Sequence, residues 1–166
     1  MGDSGKAKVL SDLTEVLGDG LILPGSEKYK QANGSYFSAF ENGLKPWCIA
    51  QPGDVAQVQS LVKTIRPHIL SGICHVAIRG SGHTPFAGSA NIDNGVTIDT
   101  RRLKGITLNE DKSIVEIGVG ETWTAVYTQL EKHGVTVPGG RVGRIGVSGF
   151  ILGGEFRCAA WAIISA

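Results

Sequence analysis

The sequence predicts an α+β fold of mixed small sheets with crossover helices, and three observations predict it. Short β-rich apolar runs alternate with stretches whose apolar residues recur at helical spacing. Asn109-Glu110-Asp111-Lys112 lies between two further β-rich runs, which reads as a hairpin. The 24 glycines, about twice the usual fraction, cluster between the patterned runs and so mark tight turns, not disorder. With 166 residues, 42% of them hydrophobic, the chain has enough apolar material for the core of one domain.

The elements follow in order. Val9, Leu10, Leu13, Val16 and Leu17 predict a helix over 6–17 that ends at Gly18 or Gly20. Residues 21–25 read as a short extended piece running into a turn. Residues 26–40 are mixed, with Asn33-Gly34 as a turn signal. Trp47-Cys48-Ile49-Ala50 reads as a strand turned by Pro52-Gly53. Asp54 then caps a helix carrying Val55, Val58, Leu61, Val62 and Ile65 on one face, and Pro67 closes it. A buried strand over 73–78 completes a β-α-β unit. Val96-Thr97-Ile98-Asp99 is a further strand, and 106–108 with 113–117 form the hairpin. Trp123, Val126, Tyr127 and Leu130, at i, i+3, i+4 and i+7, predict a helix over 121–133 ended by Gly134.

Bulk properties narrow the partners. The formal net charge is +1 with no obviously basic face, so nucleic acid is not expected. The first eight residues are polar with no apolar core behind them, and no run is long enough for a membrane span. A cytoplasmic protein without a membrane partner is the expectation. Cys48, Cys74 and Cys158 show no metal-ligand spacing and read as small buried hydrophobes.

Two glycine-rich loops carry the chemistry. In Arg79-Gly80-Ser81-Gly82-His83-Thr84, which follows the strand, glycines free amide N–H groups to converge in a nest suited to phosphate oxygens. Arg79 adds positive charge, Ser81 and Thr84 add hydroxyl donors, and His83 lies within the turn. The second loop, 138–154, places Gly140, Gly143, Gly146 and Gly149 at every third residue, with Arg141 and Arg144 among them. That spacing suits either a backbone passing close to a flat ligand or a glycine-rich surface loop. Two such loops on one small domain favour a ligand, read as a flavin dinucleotide held between them. Rival motifs fail. Gly118-Val119-Gly120 lacks the third glycine of a dinucleotide fingerprint, no loop ends as a P-loop does, and Gly146 to Phe150 lacks the last glycine of a nucleophile elbow.

From Pro46 to Gly154 the chain resembles the flavin-binding domain of the vanillyl-alcohol-oxidase superfamily, in particular the berberine-bridge-enzyme-like FAD-linked oxidases of fungi. The residues that carry the resemblance are Trp47 to Pro52, Arg79 to Thr84, Gly95 to Asp99 and Gly140 to Gly154, with Pro24-Gly25-Ser26 and Tyr29 before them. The fold it implies is an incomplete PCMH-type FAD-binding domain. By resemblance the cofactor is FAD, and the cofactor-binding residues are Arg79, Gly80, Ser81, Gly82, His83, Thr84, Gly140, Val142, Gly146, Ser148, Gly149, Gly153 and Gly154. His83 falls where many relatives join the imidazole to the 8α-methyl group of the flavin, while others bind FAD without that bond. Val142 stands where doubly linked relatives carry a cysteine, so a second link is not expected. Asp99 reads as a turn cap and His133 as a dipole partner at a helix end.

The implied organisation is a helical lead-in over 1–40, a partial FAD-binding domain over 41–154 and an apolar tail over 155–166 outside the family pattern. Gly154-Glu155-Phe156 can be encoded by GGT-GAG-TT, which contains a splice-donor sequence. The tail is therefore expected to be translated intron, from a retained intron or a mistaken gene model. Uninterrupted coding of this tail in mature transcripts would overturn that expectation. Two functions follow. One is an FAD-binding oxidoreductase that moves a hydride from a small-molecule substrate to FAD, with oxygen as acceptor. The other is an inactive fragment with weak or no flavin binding.

Overall fold

The computed structural model describes residues 3–154, so the tail expected at 155–166 lies outside the described residues. Helix α1 (Asp3–Leu17) leads into strand β1 (Leu21–Ile22), and two short helices follow, α2 (Glu27–Asn33) and α3 (Ala39–Gly43). Strand β2 (Cys48–Ala50), helix α4 (Val55–Leu70), strand β3 (Val76–Arg79) and strand β4 (Val96–Asp99) complete the first half. The second half holds β5 (Ile106–Leu108), β6 (Val115–Ile117), α5 (Trp123–Glu131) and α6 (Val147–Leu152).

The larger sheet has the order β1-β2-β4-β3, with β2, β4 and β3 parallel and β1 antiparallel at one edge. The expected β-α-β unit is present, and β4 inserts between its two strands. Period-2 alternation divides the side chains of β2 between two layers. Cys48 and Ala50 face Val9, Leu13 and Leu17 of α1 and Leu61 and Ile65 of α4, whereas Ile49 joins Ile22, Tyr29 and Ala32 on the other face. Fully burying a side chain such as Leu13 or Leu61 contributes about 1.5–3 kcal/mol relative to leaving it exposed. Burial pushes the Cys48 thiol up to about 12, as an inert core cysteine requires.

The hairpin β5–β6 packs against a second cluster, Trp123, Val126 and Leu130 of α5 with Val147 of α6. The mixed stretch 26–40 turns out to hold two capped helices: the Ser26 hydroxyl accepts from the Tyr29 amide and the Ser38 hydroxyl from the Phe40 amide. Pro67 does not close α4, which runs on to Leu70. Proline in the last turns forfeits only its own N–H bond, and the Pro67 carbonyl still accepts from Ser71. The second glycine loop is not loop throughout, because α6 forms within it.

A polar clamp joins α1 to α4. Asp12 accepts from Lys8 Nζ at 2.9 Å, and its other oxygen lies 2.9 Å from His68 Nε2. The Lys8 hydrogen bond, then that of His68, holds the Asp12 carboxyl below its ordinary range. A lowered folded-state value stabilises the fold above the unfolded value and loses that contribution as pH falls through the folded one. Thermal melts of the parent and of Asp12→Asn should therefore differ at neutral pH and converge below about pH 4. A constant offset across that range would show that the carboxylate charge is not what clamps the helices.

Candidate functional site

The first glycine loop lies at the carboxyl end of a parallel strand, where open α/β sheets place their ligands, and the second reaches it from α5. The first leaves the end of β3, beside the end of β4. The second is fixed to the start of α5, whose leading N–H groups need partners from outside the helix. Trp123 and Thr124 donate there to the carbonyls of Ile145 and Gly143 at 3.1 and 3.0 Å. The loops then meet: the Gly146 amide donates to Ser81 Oγ at 2.8 Å. A Cβ on Gly146 would stand 2.9 Å from the Ser81 backbone nitrogen, so the approach needs a residue without a side chain.

Clefts open on either side of this junction. One, of about 540 Å³, is bordered by Tyr36, Phe37, His83, Arg101, Lys104 and Arg144, with the hydroxyls of Ser35, Ser81, Thr122 and Thr124 among its other walls. The other, of about 410 Å³, is bordered by Gly80, Thr84, Ile145, Gly146, Gly149 and Gly153 among others. Ser81, Gly82 and His83 line both. The structure thus brings Gly80, Ser81, Gly82, His83, Thr84, Gly146, Gly149 and Gly153 to a common region. Gly140, Val142, Ser148 and Gly154 line neither cleft. The flat partner that Gly140 approaches is internal, the Trp123 indole, against which a Cβ would collide. The Ser148 hydroxyl sits where a Cβ on Gly80 would be, at 2.6 Å.

Arg79 differs most from its sequence reading. Its side chain is fully buried beneath the loop, so it is a support and not an exposed cation. Nη1 donates to the Ala32 carbonyl at 2.6 Å and Nη2 to Ser35 Oγ at 3.0 Å, with the guanidinium 3.5 Å above the Tyr36 ring. Burial, then the charge of Arg101, lowers its pKa. Burial likewise raises the Tyr36 phenol, to about 12, against the opposing pull of Arg79. Gly82 closes over this pair at φ +75°, a left-handed conformation, where a Cβ would stand 2.7 Å from the Tyr36 ring and 2.9 Å from Arg79 Nε.

The cleft-lining cation that sequence reasoning missed is Arg101, which is half-buried. It forks onto Asp99, with Nη2 to Oδ2 at 2.6 Å and Nε to Oδ1 at 2.9 Å, and Nη1 donates to Ser35 Oγ at 2.8 Å. Burial alone would push the Asp99 carboxyl up, but the bonds from Arg101 and from Gln51 Nε2 hold it below the ordinary range. Asp99 also accepts from the Arg101 amide, as the expected turn cap does. The signal in the sequence was Asp99-Thr100-Arg101, an acid directly after a strand with a guanidinium two residues on. Only a strand end beside β3 makes that pair face the glycine loop. Lys104, which donates to Glu121 at 3.2 Å, was missed for the same reason.

A glycine loop at the carboxyl end of a parallel strand, bordered by guanidinium and ammonium groups, has the chemistry that suits a phosphate-bearing cofactor. Comparison with known proteins agrees: the chain belongs to the FAD binding domain family, which it matches over residues 46–159, and its cofactor is FAD. It is similar to the FAD-dependent monooxygenase CTB5 of Cercospora beticola, 36% identical over 140 residues that make up 82% of this chain and 27% of that protein. An uncharacterized FAD-linked oxidoreductase of Arthroderma benhamiae is 38% identical over 132 residues, 80% of this chain and 26% of that one. The chain spans about a quarter of the length of these curated relatives. Among solved structures, a chitooligosaccharide oxidase superposes with a TM-score of 0.71 at 24% identity, over 86% of this chain and 29% of that one. Physcomitrella patens BBE-like 1 superposes with a TM-score of 0.65 at 24% identity, over 81% and 29%. These likenesses bear out the PCMH-type FAD-binding fold over the part that the chain spans.

The junction of the loops can be tested without cofactor. Ser81→Ala should speed hydrogen exchange at the Gly146 amide, and Gly146→Ala should destabilise the chain by about 1–3 kcal/mol as the loops are forced apart. Unchanged exchange at residue 146 in Ser81→Ala would show that the loops do not depend on this bond.

Proposed function

We propose that the two clefts and the joined glycine loops form the cofactor-binding part of an oxidoreductase acting on a small organic substrate, with oxygen as the final acceptor. Bound FAD would supply the hydride-accepting isoalloxazine, and the chain's own residues would bind and orient it. The observation that carries this reading is the Ser81–Gly146 junction, with a cleft on each side and cations confined to one of them.

The residues fit the cofactor. Amides of Gly80, Ser81 and Gly82 with the hydroxyls of Ser81 and Thr84 suit diphosphate oxygens, and Arg101, Lys104 and Arg144 supply the opposing charge. Arg79 would act from beneath by holding the loop's shape. Gly146, Gly149 and Gly153 leave the second wall free of side chains, and the combined clefts match the size of ordinary cofactor sites. His83, half-buried on both clefts, is the side chain proposed to join the flavin covalently.

An absorption spectrum of the chain expressed with FAD, before and after acid precipitation, tests the reading. Yellow colour kept in the acid pellet, and lost from it in His83→Ala, is the expected result. Colour released to the supernatant would leave FAD binding standing and overturn the covalent link. A colourless chain would overturn the cofactor site.

A further inference from the structure

Phe37 is an exposed aromatic residue with no place in any of the three apolar clusters. It is 67% exposed, yet its ring is fixed: it stacks on the His83 imidazole at a centroid distance of 4.3 Å and an interplanar angle of 14°. The backbone that carries it is anchored on both sides. The Phe37 amide donates to the Gly82 carbonyl at 3.0 Å, which ties it to the residue before His83. On one side of it, Tyr36 is pinned by its hydroxyl on the Ala90 carbonyl and by its own amide on Asn42 Oδ1. On the other side, the Ser38 hydroxyl donates to the Pro85 carbonyl at 2.9 Å. Phe37 is thus held at both flanks against the loop that carries His83.

His83 has no comparable restraint of its own. Among the described residues no hydrogen bond reaches either nitrogen of its ring, and the stacked phenyl is what sets its plane. Both rings border the larger cleft. One face of the imidazole is therefore covered by the phenyl ring, and the half-buried residue borders both clefts.

We infer that Phe37 is a positioning residue that fixes the plane of the His83 imidazole, so that a flat ring in the cleft meets His83 only at its free face or its nitrogen edge. This rests on the FAD reading of the site. It assigns to an exposed phenylalanine a role that neither apolar packing nor polar bonding explains. An aromatic pair of this kind corresponds to about a two- to tenfold change in an equilibrium.

The experiment has two readouts on the full chain. The first is the NMR chemical shift of the His83 ring protons without cofactor, where a stacked phenyl should move them upfield by its ring current. The second is the affinity of the cofactor-free chain for FAD, read from quenching of flavin fluorescence on mixing, before any covalent link forms. Phe37→Leu should lose the upfield shift and weaken FAD by about two- to tenfold, and Phe37→Tyr should restore both. His83 shifts unchanged in Phe37→Leu would overturn the stack. Shifts that change while FAD affinity holds within error would overturn the positioning role and leave the cofactor reading intact. A parent chain that binds no FAD would overturn the cofactor reading, and with it this inference.

Discussion

The burial of the Arg79 guanidinium at the end of β3 is the constraint around which the site is built. A cation removed from water costs several kcal/mol unless its charge and donors are met, roughly as for any buried ion. Here the segment 32–36 meets most of that cost: a carbonyl in the last turn of α2, the Ser35 hydroxyl and the Tyr36 ring face all converge on one side chain. A carbonyl at a helix C-terminus is a favourable partner for a cation, because the helix dipole is negative there. Nε alone lacks a partner among the described residues. The N-terminal segment and the glycine loop are therefore held together by a charge that neither could bury alone.

A second buried charge of opposite sign holds the far end of the same loop. Glu41 of α3 is fully buried, and its carboxylate accepts from the amides of Gly88, Ser89 and Ala90 at 3.1, 3.1 and 2.7 Å. Asn91 continues the network by donating to Asn33 and to the Glu41 carbonyl while accepting from Thr97 of β4. Such networks are costly when partly satisfied and rigid when complete. With Arg79 before it and Glu41 after it, the stretch 80–87 is stretched over a fixed floor. Under the proposed reading, a nest whose amides would converge on a diphosphate benefits from that rigidity, since little ordering remains to be done on binding.

The charge pattern also separates support from recognition. Arg79 and Arg101 share the Ser35 hydroxyl, yet one is sealed beneath the loop and the other borders the cleft. Asp99 and Gln51 keep Arg101 from collapsing onto the loop, so its charge is displayed in a set direction. The aromatic pair of Phe37 and His83 closes the same wall, and together these groups make one side of the junction cationic and flat. The other side, walled by Ile145, Phe150, glycines and the side chains of Ser81, His83, Thr84 and Ser89, carries no lysine or arginine.

Apolar patterning made α1, α4, α5, β2, β4 and the hairpin legible, whereas the strand expected to lie buried over 73–78 is the edge strand Val76–Arg79, with Ile78 64% exposed. Arg79 to Thr84 could likewise be read as a ligand loop, since glycine, hydroxyl and histidine in a turn after a strand suit few other purposes. What the sequence left undecided depended on neighbours distant in the chain. The capped helices α2 and α3 are short and gain their stability from Arg79 and Glu41, so propensity over 26–40 was uninformative. The glycine spacing after residue 138 is shared between an internal indole, a facing serine and the cleft, and only tertiary contacts divide it. Arg101 and Phe37 join the site because β4 lies beside β3 and because Gly82 can turn over Tyr36. Local sequence sets which faces are apolar and where the backbone can turn, and packing decides which charges are buried and which remain for a ligand.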